Sequence, residues 1–250
     1  QNIISGMGEL HLEVMVDRLQ REYRVDCKAG KPRVAYRETI TQAAESDTKF
    51  EQPLDGKEQF AYCKISLEPI EAGGGFEFEN KLSAAQLPEI LAEAVEHGIR
   101  GALSNGVLAG FAVIDLKATL VSADYLEELS TEVAFSIAGI NVIRAGLQKA
   151  KPILVEPSMK IEVVAPVAFT GEVVGDLNAR HGRIRGMDEQ GGVQVISAEV
   201  PLAEMFGYST RLRSLTQGRA SFTMHFSHYT SVTEATRKAL TGESASSGRA

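Results

Sequence analysis

Between Lys160 and Ser227 the apolar residues alternate between the two-residue period of a strand and the spacing of a helix, and that order constrains the fold more than any other feature. The spacing predicts a strand over Lys160–Ala165, a helix over Ala168–Arg180 and strands over Arg183–Met187 and Val193–Val200. A helix over Leu202–Thr216 and a strand over Ser221–Ser227 follow. This βαββαβ order is that of the ferredoxin-like split fold, in which two helices cover one face of a sheet. A unit spanning residues 157–230 is therefore expected to be complete. Residues 231–250 are expected to hold a short helix over Val232–Leu240 and a Ser/Gly-rich tail.

The opening of the chain reads as half of a similar unit. A helix is predicted over Glu9–Tyr23, with Leu12, Val16, Leu19 and Tyr23 on one face, and a strand over Val25–Lys28. Residues 1–32 supply too few elements to bury a sheet. With Gln1 rather than Met at the start, an upstream portion is expected.

Residues 33–156 form the middle domain. Val34–Ile40, Cys63–Pro69 and Phe76–Phe78 look extended, whereas Gln42–Asp47 and Leu54–Glu58 look like polar turns. Leu91, Val95 and Ala102 share a helical face after Pro88, where Gly98 and Gly101 either weaken the helix or admit another backbone. Phe111–Val121 is the clearest buried strand, and Ser122–Leu129 an acidic loop. Ser130 is the expected N-cap of a further helix with Val133, Ile137, Ile140 and Leu147 along one side. The fold class is α+β.

Composition removes several kinds of chemistry. The net charge of −7 argues against a general nucleic-acid binder, but its distribution is uneven. From Asp176 to Arg219 six arginines face five acids, so that window is +1 and the remainder −8. Arginine suits phosphate because its planar fork matches two oxygens, although a solvated or ion-paired face would have the same composition. Cys27 and Cys63 are too few for a disulfide framework or a four-cysteine zinc site, which fits a reducing cytoplasm. No apolar run approaches the roughly 18 residues of a membrane span. Gly30-Lys31-Pro32 and Gly56-Lys57-Glu58 both fail the phosphate-loop pattern, and no catalytic constellation is visible. No catalytic, cofactor or metal residue is assigned within the chain.

Three stretches carry a family resemblance. Gly6-Met7-Gly8-Glu9-Leu10-His11-Leu12-Glu13 is similar to a segment in the third domain of the translocating translation GTPases. Gly30-Lys31-Pro32 with Val34-Ala35-Tyr36-Arg37-Glu38-Thr39 looks like the passage into their fourth domain. Val200 to Arg219, with Gly207-Tyr208-Ser209-Thr210-Arg211-Leu212-Arg213 at its centre, resembles the fifth domain of bacterial elongation factor G nearly residue for residue. The chain thus resembles a C-terminal fragment of that family, with the end of domain III followed by domains IV and V.

The resemblance implies an elongated fourth domain like ribosomal protein S5, with a left-handed crossover, that reaches the small-subunit decoding region and accompanies movement of tRNA and mRNA. It also implies a fifth domain near the factor-binding rRNA of the large subunit. GTP and magnesium would belong to a G domain outside this chain, and the protein would be a cytoplasmic monomer without membrane partners. The expected ribosome contacts are Asp55, Gly56 and Lys57 at one tip loop, Tyr125, Leu126 and Glu127 at the other, and Arg183, Arg185, Arg211, Arg213 and Arg219 in the fifth domain.

Two departures matter. The first tip loop lacks the family's glycine-rich sequence, and Leu126 stands where the family has a histidine. They leave open a paralogue specialised in ribosome recycling or a weak translocase. A free-standing ribosome-binding regulator is a separate alternative, against which the half domain at the start counts.

Overall fold

The computed structural model describes residues 9–26, 34–54 and 56–242. The chain groups into two compact units. One runs from Tyr36 to Glu156 and takes in the described residues from His228 on; the other joins Pro157–Ser227 to the described residues up to Ala35.

Helix α1 (Glu9–Arg21) comes first. Val14 and Met15 on it, and Tyr23 and Val25 after it, are exposed, so the apolar residues of this segment are incompletely covered. Residues 24–26 form no strand, and Cys27 and Lys28 of the expected strand lie outside the described residues.

The next unit begins with β1 (Arg37–Ile40) and a long antiparallel hairpin, β2 (Ala44–Leu54) and β3 (Lys57–Pro69). Then come β4 (Phe76–Asn80), α2 (Glu89–Leu103), β5 (Leu116–Asp124), α3 (Glu132–Lys149) and β6 (Pro152–Pro166). The sheet order is β2-β3-β5-β4, with β4 and β5 parallel, so α2 lies in the crossover between them. Alternation makes the core: Ala61, Cys63, Ile65 and Leu67 of β3 point inward beside Leu116, Ala118 and Leu120 of β5. Each fully buried Ile or Leu there contributes about 2 kcal/mol.

Helices α2 and α3 cover this sheet in very close contact. A Cβ on Gly98 would strike the backbone carbonyl of Ser136, and one on Gly139 that of Val95. Gly98 therefore admits a backbone, whereas Gly101 has open space beside it. On α3 the buried face is rotated from the expected one. Ala134, Phe135, Ala138, Gly139, Val142, Ile143, Gly146 and Leu147 are buried, so of the expected row Leu147 is fully inside, Ile137 and Ile140 only partly cover the core, and Val133 is half exposed.

Several sequence expectations shift here. Gln42–Asp47 is not a polar turn, since Ala44 already belongs to β2, whose inward positions include the polar Ser46. The Ser46 hydroxyl donates to the Val142 carbonyl at 2.9 Å, which satisfies it in the core. The strand predicted over Phe111–Val121 occupies Leu116–Asp124, so Ser122–Asp124 is strand rather than loop. Thr131, not Ser130, caps α3, accepting from the Ala134 amide at 3.3 Å.

One buried carboxylate organises the connection from α2 to β5. Glu38 is fully buried and accepts from the amides of Leu108 at 3.0 Å, Ala109 at 2.9 Å and Phe111 at 3.2 Å. Its own backbone bonds Ala112 and Ile114. A carboxylate so enclosed is tolerated because three amides donate to it.

The other unit uses the second half of β6 with α4 (Thr170–Ala179), β7 (Arg183–Gln190), β8 (Val193–Pro201), α5 (Tyr208–Leu215) and β9 (Ser221–Ser231). β6 lies between β9 and β8, and β7 pairs the far side of β8, which is the ferredoxin-like arrangement. Ile161, Val163, Ile196, Ala198, Val200, Val173 and Leu177 form its core. The helix predicted over Leu202–Thr216 is broken. Leu202–Met205 is a 3-10 turn, Gly207 adopts φ +73°, and α5 starts at Tyr208. The left-handed step, which glycine takes without penalty, lets both Met205 and Tyr208 turn into the core. Helix α6 (Glu234–Thr241) follows, capped by Thr233.

Replacing Glu38 by Ala strips three part-buried amides of their acceptor and should cost about 3 kcal/mol. Urea unfolding measures it, and a loss under about 1 kcal/mol would show that the loop does not depend on this clamp.

Candidate nucleic-acid interface

The expected contacts fall into two groups on two units. In the first, β2 and β3 pair continuously to Leu54↔Lys57, leaving only residues 55 and 56 for the turn. Gly56 adopts φ +80°, and Asp55 lies outside the described residues. Leu54 and Lys57–Glu58 are thus strand rather than the expected loop. Pro53 is accommodated because β2 is an edge strand.

β5 ends where Asp124 pairs with Tyr62, so the hairpin continues past it as a two-stranded ribbon. The second loop braces that ribbon. The Phe60 amide donates to the Leu129 carbonyl at 2.8 Å, and the Ser130 hydroxyl donates to the Phe60 carbonyl at 2.7 Å. Ser130 Oγ also accepts from the Leu126 amide at 3.0 Å, and Thr131 Oγ1 lies 2.5 Å from Gln59 Oε1. Of β3 only Lys57 and Glu58, paired with Leu54 and Pro53, stand beyond the last brace, roughly 7 Å of ribbon.

The structure separates Tyr125, Leu126 and Glu127 into different roles. Tyr125 is half-buried and packs on the core, Leu126 is 48% exposed, and Glu127 is exposed. Among the described residues at this end, Lys57 and Lys49, the latter paired with Glu51, stand against Glu51, Glu58, Asp124, Glu127 and Glu128, a net of −3. Phosphate is disfavoured by that balance, so an RNA contact here would depend on shape and backbone amides.

In the second group two arginines are already engaged. Arg185 Nε and Nη2 bond Glu199 Oε2 at 2.9 and 2.5 Å, and Arg211 Nε bonds Asp176 Oδ1 at 3.1 Å. Arg180 bonds the other Asp176 oxygen at 2.9 Å and the Glu204 carbonyl, and its guanidinium lies 5.1 Å from the centre of the Tyr208 ring. Arg183, Arg213 and Arg219 are exposed and make no ion pair among the described residues. Two of these are brought together. The Gly218 amide donates to the Arg213 carbonyl at 2.8 Å, which folds Arg219 back beside the end of α5. The Thr216 hydroxyl holds that turn, donating to the Leu212 carbonyl at 2.7 Å and accepting from the Ala220 amide at 3.2 Å.

Sequence reasoning missed the braces Ser130, Thr131 and Gln59 and the counter-ions Asp176 and Glu199. A Ser-Thr pair ahead of a helix was a signal for the first set; nothing in the sequence paired Asp176 with Arg211. Other chemistry is sparse. Cys63 is buried, and burial first, then the Asp47 charge, pushes its thiol up to about 12, so it is not a reactive group. Among the described residues no group of His, Cys, Asp or Glu could hold a metal, and no helix is long and apolar enough to cross a membrane.

An α+β protein with a braced hairpin on one unit and a ferredoxin-like second unit is the class defined so far. Family comparison names it. Residues 1–31 match elongation factor G domain III, residues 32–151 its domain IV and residues 153–240 its C-terminus. The chain belongs to the elongation factor G family. It is also similar to a crystal structure from Thermus thermophilus, at 38% identity and a TM-score of 0.83 over 97% of this chain. It spans 36% of that longer chain.

Tyr208 gives a test of this packing. Its hydroxyl is buried with no hydrogen-bond partner among the described residues, and burial, then the Asp176 charge, raises its ionisation above the usual range while Arg180 opposes. A raised folded value means that the stability is complete below the unfolded value of about 10 and is lost as pH rises further. Tyr208→Phe should match or exceed the parent by about 1 kcal/mol at neutral pH and lose less above pH ~10. Urea titrations at pH 7 and at alkaline pH would show it; a loss above about 2 kcal/mol would reveal a partner for the hydroxyl.

Proposed function

We propose that this chain is the ribosome-binding part of an elongation-factor-G-type translation factor that promotes GTP-dependent movement of tRNA and mRNA. The observation that carries the reading is the uninterrupted order of domain III, IV and C-terminal matches along the chain. GTP hydrolysis, with its magnesium, is assigned to a G domain outside these 250 residues, consistent with the greater length of the Thermus relative. The part played by this chain is mechanical: the braced hairpin of domain IV is a stiff probe for the small-subunit decoding region. Gly56, Lys57, Leu126 and Glu127 form its leading end, with Asp55 expected beside them. In domain V, Arg183, Arg213 and Arg219 are the cations available to large-subunit rRNA phosphates, whereas Arg185 and Arg211 are held by carboxylates.

A second reading, a paralogue that splits ribosomes after termination, is favoured by the acidic tip and Leu126. The two separate in a toeprinting assay with the intact protein, GTP and a pretranslocation ribosome. An advance of one codon supports translocation; no advance, with subunit splitting in the presence of recycling factor, selects the paralogue.

The division of the arginines is testable on the same complexes. Arg213→Gln and Arg219→Gln should each lower the slope of log affinity against log salt by about 1, and Arg185→Gln by less. Equal losses at all three positions would remove the distinction between paired and available cations.

A further inference from the structure

On the outer side of α2 and α3 lies a shallow trough of about 620 Å³, lined by none of the tip or arginine residues described above. Its floor is aliphatic, formed by Ile90, Ala94, Val133 and Ile137. Ile90 and Val133 are 53% and 52% exposed, which is unusual for two β-branched side chains beside each other on a solvated helix pair. The trough exists because α2 and α3 approach so closely at Gly98 and Gly139 that their outward residues form a single surface.

Charge selects what could lie there. Glu93, Glu96 and Glu132 stand on the rim against a single arginine, Arg100, a net of −2. Arg100 is occupied, bonding Glu96 at 2.7 Å and stacking 4.8 Å from the centre of the Phe76 ring. Glu93 and Glu132 have no ion pair among the described residues. Their carboxylates flank the exposed aliphatic floor.

We propose that this trough is a docking site for a basic protein segment, one that sets an aliphatic side chain onto Ile90 and Val133 and flanks it with lysine or arginine. The proposal rests on the ribosome-binding reading. A ribosome offers two polymers, RNA and protein, and the unpaired glutamates repel phosphate while attracting cationic protein. The aliphatic floor adds the contact that a phosphodiester chain cannot use. Domain IV would then hold its hairpin against RNA while its helical side is steadied by protein.

The test places a benzophenone amino acid at Val133 of the intact protein, and separately at Lys57 of the hairpin, and irradiates each on purified ribosomes. At Val133 the expected product is a ribosomal-protein peptide containing at least two basic residues, identified by mass spectrometry. A product with rRNA, or none at Val133 while Lys57 cross-links, overturns the docking site and leaves ribosome binding intact. Silence at both positions overturns the ribosome reading and the docking site with it. Reversing both charges, Glu93→Lys with Glu132→Lys, should cut the Val133 yield about tenfold and spare the Lys57 product. Glu93 is exposed, but Glu132 lies in the first turn of α3, where a cation is unfavourable, so the variant should stay folded, with thermal unfolding still cooperative and Tm only modestly lowered. An unchanged Val133 yield contradicts the charge argument.

Discussion

The domain IV fold depends on the buried carboxylate of Glu38. A parallel β4–β5 pair obliges the chain to travel out through α2 and return across the end of the sheet, and that return has no regular structure of its own. Glu38 replaces the missing ladder by accepting three amides from residues 108–111 while its backbone bonds the two residues that lead into β5. Because β5 is thereby fixed, its end at Asp124 is fixed, and so is the loop that braces the hairpin at Phe60. A local satisfaction of buried polar groups is in this way passed along to a distant functional end.

The hairpin and the ferredoxin-like unit solve different problems of meeting RNA. The hairpin gains stiffness from Ser130 and Thr131 and carries net negative charge, so its usefulness is shape. Domain V carries its cations on β7, on α5 and in the turn after it, but cancels some of them with Asp176 and Glu199. Arg185 is held across β7 and β8 and Arg211 across α5 and α4, so each is partly neutralised before any phosphate could meet it.

The fold was legible where apolar periodicity was unbroken. Ile161, Val163 and Ala165 against Ile196, Ala198 and Val200 spelled out the sheet of domain V, and the resemblance in residues 200–219 pointed to the family. β2 was hidden because its inward row includes Ser46, whose hydroxyl is satisfied only by Val142 on a helix 96 residues later. The break at Gly207 was hidden because a helical period runs on through it. Sites were less legible still. Which arginines are available depends on carboxylates 14 and 35 residues away, and Tyr125 looked like a surface aromatic until the core claimed it.

On the proposed reading, the β2–β3 turn leads this protein into the small ribosomal subunit. A hydroxyl-radical source tethered to a cysteine at Lys57 of the intact protein, bound to ribosomes with a non-hydrolysable GTP analogue, would map where that turn lies. Strand breaks confined to decoding-region rRNA are the expected result. Breaks confined to the large subunit, or none above those from untethered reagent, would contradict it.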